Sequence, residues 1–427
     1  IYISTPSITP VNFSIKEIGG SITTGTVSRD IPYVFDINRH NADQLVLDQT
    51  EAGIIKSNRG YTIEAGDVVY ATVRVIDRTG NQSSEIVSKG LAALGTQFRI
   101  SGLTNKLNKG YSDRHLTFAS VLATENNTVV NFTNIKTGAV LINNAISGNS
   151  APSVTLNSGE SYTIAVQGPI AANNDALIGA LISSNKPIAV NCGSFAGSNG
   201  ELTNNIDLGF DQIVSAERTG TDYIFIKSTG SVNVEKVILI AHEDNTQIFL
   251  NGSAIPNYTI NAGEYVALLG SDYNPQGNLY VRSDKNIFAY QSVGDAARQD
   301  EANQEMFFVP PLSCQTPKSI DNIPSIESIG NRVFTGRVTL TTKTGSDLNF
   351  IIDGVPYTLA TLRPEVKVFG PTSVTGNTEY ECYVLTGLRG NVSVFSTSQL
   401  YLAAYGSDGA ATFGGYYSGF TFKPEIN

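Results

Sequence analysis

The sequence predicts an all-β protein assembled from tandem antiparallel β-sandwich-like repeats packed on one another. Three observations predict it. Helical periodicity is almost absent. Short runs rich in Val, Ile, Tyr, Phe and Thr, such as "DYIFIKS", "NTQIFLNG" and "NLYVRSD", occur throughout, bounded by Gly, Asn, Asp or Ser. Four signatures recur in one order at intervals of about 100 residues, the mark of a repeat architecture.

The first signature is a glycine and polar lead-in to an aromatic strand: "GTQFRI" at Gly95, "GTDYIF" at Gly220 and "GNRVF" at Gly330. The second is an apolar strand, a polar turn and another strand: "VLATENNTVVNF", "LIAHEDNTQIFL" and "LTTKTGSDLNFI". Asn and Gly at these turns supply the backbone conformations that a tight reversal needs. The third reads "VTLNSGESYTI", "YTINAGEYVAL" and "YTLATLRPEVKVF", placing Glu160, Glu264 and Glu365 at equivalent positions. A further copy, "GYTIEAGDVVYATVRV", surrounds Asp67. The fourth is a strand pair broken by a polar turn: "ALISSNKPIAVNCGS", "LYVRSDKNIFAYQSVG" and "SVFSTSQLYLAAYGS".

These signatures divide the chain into a divergent N-terminal β unit over residues 1–94 and three repeats over 95–219, 220–329 and 330–427. The last ends in a Tyr/Gly-rich closing strand, "FGGYYSGFTF". Six or seven strands per repeat suit a small sandwich; the same strands could instead be cut into four-stranded blades of a propeller. Asp295–Glu305, "DAARQDEANQE", is polar all round and reads as a short surface helix or a loop.

Composition narrows the function. With 427 residues the chain exceeds one ordinary core. Charged residues are 15%, against roughly 25% in average globular chains. The net charge of −10 and the absence of a basic run argue against nucleic acid and against an anionic membrane surface. No apolar run approaches the ~20 residues of a membrane-spanning helix. The chain starts at Ile1 without a leader pattern, so targeting signals are expected elsewhere in a longer protein.

Chemistry is sparse. His40, His115 and His242 have no partner at metal spacing, and HExxH and G-x-S-x-G are absent. His242 falls at a turn where the other repeats carry Thr124 and Lys343, so it reads as a replaceable turn residue. "GSFAGSNG" at 193–200 reads as a surface loop leaving a strand. Glu160, Glu264 and Glu365 recur in every repeat, which argues for a shared structural job such as closing a turn. No cofactor is implied; calcium is the most plausible ion. Its weak candidates are Asp207 and Asp211 with Asn204 and Asn205, then Asp272 and Asn274, as hard oxygen donors. Three cysteines are too few for a disulfide scaffold; a Cys314–Cys382 pair with Cys192 as a buried thiol is the arrangement weighed first. Tyr416 and Tyr417 form the densest aromatic cluster and suit packing between units or a partner contact.

"GALISSNKPIAVNCGS", then "DLGFDQIVSAERTGTDYIFI" and "VILIAHEDNTQIFLNG", resembles the IgGFc-binding protein N-terminal domain family, and "SKGLAALGTQFRI" and "FVPPLSCQTPKSIDNIPSIESIG" are similar to it as well. The resemblance runs from about Tyr61 to Gly406. The chain lacks Trp and the cysteine density of the animal members, and it looks more like a bacterial branch found in surface and gliding-associated proteins of Bacteroidota. That resemblance implies secretion and display at the cell surface. It does not carry over a site for antibody.

Three functions follow as expectations. The first is a non-catalytic adhesion or ligand-binding module of a larger surface protein, taking an extracellular glycan or protein ligand. The second is a spacer or docking platform for neighbouring domains. The third, at low weight, is a carbohydrate-active enzyme.

Overall fold

A computed structural model describes residues 1–37, 44–106, 116–168, 170–201, 205–296 and 301–418. It is all-β: antiparallel strands carry the structure, and the helical elements among the described residues are 3₁₀ segments of three or four residues.

The N-terminal residues form two small sheets. One orders Tyr33–Val34, Tyr2–Ser4, Tyr70–Ile76 and Ser83–Val87; the other orders Ile22–Val27, Val11–Glu17 and Tyr61–Ala65. In Val11–Glu17, Val11, Phe13 and Ile15 point inward while Asn12 and Lys16 point out, the period-two pattern of a strand with one wet face. With Ile1, Ile3 and Val27 these side chains form their core.

Residues 95–213 form a seven-stranded sheet, and residues 220–308 form a second with the same pairing. Each is organised by one 17-residue strand, Leu181–Gly197 and Asn278–Gly294. The sequence reads these segments as strand pairs broken by a turn; the structure instead bends one continuous strand. Leu181–Ser184 pair with Gly95–Arg99 and Thr128–Thr133, whereas from Ile188 onward the strand pairs with Leu116–Ala123 and Asp207–Ile213. Pro187, which lacks an N–H, sits at the bend, where a polar dipeptide looks like a turn. A strand that switches between two layers in this way turns an open sheet into a nearly closed, sandwich-like barrel. In the C-terminal part the corresponding segment is divided, into Val392–Ser396 and Leu400–Asp408, each in its own sheet.

The turns follow the residues. Asn127 and Asn245 take left-handed conformations at φ 57° and 53° in the two equivalent hairpins. Glu160 Oε2 accepts the Asn157 N–H at 2.6 Å, and Glu264 Oε2 accepts the Asn261 N–H at 2.8 Å. This is the turn-closing job expected of them. Glu365 is exposed, and there the Val366 N–H donates to the Arg363 carbonyl at 2.9 Å instead.

The sheets share cores. Ile238, Ile240, Phe288 and Tyr290 of the second seven-stranded sheet lie in one apolar cluster with Phe98, Val121 and Cys192 of the first. Tyr380, Cys382, Tyr401 and Tyr416 lie in one cluster with Tyr223 and Val281. Four edge strands also close a ring. Ser83–Val87 packs on Asp207–Ile213, which packs on Gln304–Phe308; that strand packs on Ala411–Tyr416, which returns to Ser83–Val87. Gly415 permits the last contact, because a Cβ there would lie 2.3 Å from Val87 Cγ2.

This ring corrects two expectations. Gln304 and Glu305 begin a fully buried strand, not a surface helix. The segment 193–200 is buried almost throughout, not a surface loop. In both places polar side chains are interior because each meets an internal partner: Asn199 N–H donates to Gln304 Oε1 at 2.7 Å, and Ser84 Oγ donates to Glu305 Oε1 at 3.0 Å.

Candidate functional site

The residues singled out for calcium lie in this interior. Asp207 is fully buried; its Oδ2 accepts the Gln304 N–H at 2.8 Å and its Oδ1 the Leu208 N–H at 2.8 Å. Burial pushes its carboxyl well above the usual carboxylate range. Asp211 Oδ2 accepts from Lys89 Nζ at 2.6 Å and from the Phe308 N–H at 3.1 Å. Asp272 Oδ2 accepts the Leu269 N–H at 2.7 Å, and the Asn274 carboxamide donates to Asn278 and Thr375. Asn204 lies outside the described residues. Among the described residues, no three His, Cys, Asp or Glu side chains gather as a metal group.

The other flagged residues are dispersed. His242 Nε2 meets Gln97 Oε1 at 2.9 Å, and burial lowers its pKa. His40 and His115 lie outside the described residues. All three cysteines are free: Cys314 is exposed, while Cys382 is buried with its sulfur 3.6 Å from Thr341 Oγ1, so no bridge joins them. Tyr416 packs edge-on to Phe307, and the Tyr417 hydroxyl donates to Glu85 Oε1 at 2.6 Å, which makes this pair internal packing.

A concave feature with ligand dimensions and an aromatic wall lies elsewhere, between the N-terminal sheets and the outer face of the first seven-stranded sheet. It is a cavity of about 560 Å³. Pockets that take small molecules run from roughly 300 to 1,000 Å³. Register builds its floor from parallel rows of residues. In one row Ala165, Phe118, Gly193 and Phe210 stand side by side on four adjacent strands; in the next stand Thr163, Ser120, Asn191 and Gln212. Gly193 (φ 148°) has to be glycine, since a Cβ would come within 2.2 Å of the Gly209 carbonyl and 2.6 Å of Phe210 Cβ. Over that bare position the Phe118 and Phe210 rings approach to 5.9 Å between centroids, and Phe195 lies 6.3 Å from Phe210 at 17°. The roof is Val73, Val75 and Ile86 of the N-terminal sheet with the loop around Leu45–Ala52.

The polar side chains of the described lining are Asp48, Gln49, Gln82, Ser120, Thr163 and Asn191. Ser120 Oγ accepts from Thr163 Oγ1 at 2.9 Å, which leaves the Ser120 hydroxyl proton free to donate. Asn191 Oδ1 is shielded from water and has no hydrogen-bond partner. Among the described residues Asp48 is the one titratable side chain in the lining. General acid–base catalysis generally needs two convergent groups. This wall is built to hold an apolar body.

A model of the IgGFc binding protein family matches residues 84–406, about three quarters of the chain. The chain belongs to the IgGFc-binding protein family. Curated proteins returned no match. The family region contains the whole aromatic floor of the cavity, whereas Leu45–Ala52, Val73 and Val75 of its roof precede the match. No helix among the described residues is long and apolar enough to cross a membrane.

Sequence reasoning missed this site. Its aromatic residues are spread over strands separated by up to about 90 residues and read individually as core positions. The usable signal was Gly193 inside the strand pattern "IAVNCGSFAG", since a glycine in a strand marks a close approach.

Proposed function

We propose that this chain is a secreted, non-catalytic binding module displayed at a bacterial cell surface, of the Bacteroidota surface and gliding-associated type, as part of a larger protein. The observation that carries the reading is the cavity walled by Phe118, Phe195 and Phe210, with Asp48 the one titratable side chain among the described lining residues. Family membership supports it, because the family is one of binding proteins. The shared cores support a rigid body, which holds a binding surface in one shape without an ordering cost on association. Within this reading the chain divides at residues 94, 219 and 329 into one divergent unit and three repeats.

Docking of neighbouring domains is the second reading. Ile8, Ile22, Ile31 and Val34 favour it, since all four are at least half exposed within the N-terminal 34 residues.

The test is binding of the purified chain to an array of glycans and extracellular proteins, with calcium and with chelator. Reproducible binding supports the module. A blank array under both conditions overturns it in favour of docking, and loss of binding on chelation would show that calcium takes part.

A further inference from the structure

We propose that the cavity is a specific site for a neutral aromatic ring bearing one hydrogen-bond donor, a phenol or an indole. The inference rests on the binding reading and names its ligand class.

The wall decides what can enter. Three phenyl rings, Phe118, Phe195 and Phe210, face the aliphatic roof, so a flat apolar body gains most by burial there. Among the described residues no Lys, Arg or His lines the cavity, so an anion such as a fatty-acid carboxylate would lose hydration without a partner among them. A plain hydrocarbon would leave Asn191 Oδ1 as it stands, a shielded acceptor with nothing to accept. One N–H or O–H on the ring, met by a turn of the half-buried Asn191 carboxamide toward the cavity, corrects that. Asn191 and Ser120 are register partners on adjacent strands, so acceptor and donor sit side by side. A phenol oxygen placed there can donate to Asn191 and accept from Ser120; an indole N–H can donate to Asn191. The ring may belong to a free metabolite or to a Tyr or Trp side chain of a partner; the chemistry is shared.

The experiment is ligand-observed NMR and calorimetry on the full chain with p-cresol and indole, against 4-methylanisole and N-methylindole, which have the same rings and no donor. Donor-bearing rings are expected to bind at least ~10-fold tighter, the effect of one satisfied buried acceptor. Asn191→Leu is expected to erase that difference while leaving ring binding intact. Ala165→Phe, which fills the floor beside Phe118, is expected to abolish binding of every ring. Blocked tyrosine and tryptophan amides binding as well as the free rings would assign the site to side chains; free rings alone would assign it to small molecules. The proposal is overturned if no ring binds at millimolar concentration, if methylated and unmethylated rings bind equally, or if ring binding survives Ala165→Phe in a folded variant. Array binding that persists in Ala165→Phe would remove the cavity as the ligand seat and leave the binding module standing.

Discussion

Lys89 Nζ lies 2.6 Å from Asp211 Oδ2, with both side chains almost wholly shielded from water, and this pair joins the N-terminal residues to the first seven-stranded sheet. The Lys89 ammonium also donates to the Val87 carbonyl at 3.0 Å, and Asp211 accepts the Gln212 N–H at 2.8 Å through its other oxygen. The pair is thus saturated with partners where the four edge strands meet.

Removing one member leaves the other charge buried alone. Lys89→Met is expected to cost about 3–5 kcal/mol in chemical denaturation. The double change Lys89→Met with Asp211→Leu is expected to recover much of that loss, because no lone charge remains. A double variant no more stable than the single one would show that the pair contributes through its geometry and not only through charge balance.

The contribution of Glu235 to stability should fall as pH rises from about 4.5 to about 7, against the opposite action of the Ile1 amino group and His242, whose pKa values burial lowers. Burial pushes the Glu235 carboxyl up to about 7, although it accepts N–H bonds from Ser228, Gly230 and Gly294. A raised folded-state pKa means that the folded chain holds the proton more tightly. The stabilisation is complete below the unfolded value near 4.5 and is lost as pH passes through 7. The full effect of this group is up to about 3 kcal/mol. Asp207 and Glu305, raised by burial, act in the same direction. Lys236, lowered by burial to about 8, titrates above this window. Urea denaturation at several pH values checks the slope, and Glu235→Gln should take this falling contribution out of it between pH 4.5 and 7.

Gly193→Ala should destabilise the chain by about 1–3 kcal/mol and displace the phenyl rings over it, since its Cβ would overlap backbone at Gly209. Thermal melting reads the first effect and ring binding the second. A variant with unchanged melting and unchanged binding would contradict the packing of this row.

Thiol chemistry separates the three cysteines. Cys314 is exposed, whereas Cys192 and Cys382 are buried with thiols pushed up to about 12. An aromatic disulfide reagent is expected to titrate one thiol in the native chain and three in denaturant. No thiol in the native chain and one in denaturant would instead point to a bridge that includes Cys314, as in a Cys314–Cys382 pair.

Much of the fold was legible because strand chemistry is local. The turns at Asn127 and Asn245 and the acceptors Glu160 and Glu264 act within a few residues of their own position, so the repeat of a short string carried the repeat of a structure. Where partners are distant the reading failed. Gln304 and Glu305 look like surface residues because nothing near them in the chain shows Asn199 or Ser84. Asp207 and Asp211 look like free oxygen donors because Lys89, Gln304 and Phe308 are about 100 residues away or more.

By itself the sequence determined the all-β class, the hairpin turns and the order of the strands, because alternation, turn residues and glycine act through the local backbone. The tertiary structure alone decided that two strands bend through both layers, that four edge strands close a ring over buried carboxylates, and that Phe118, Phe195 and Phe210 share one wall. Those outcomes depend on register and on packing between distant segments, where a polar residue becomes interior once another segment supplies its hydrogen bond.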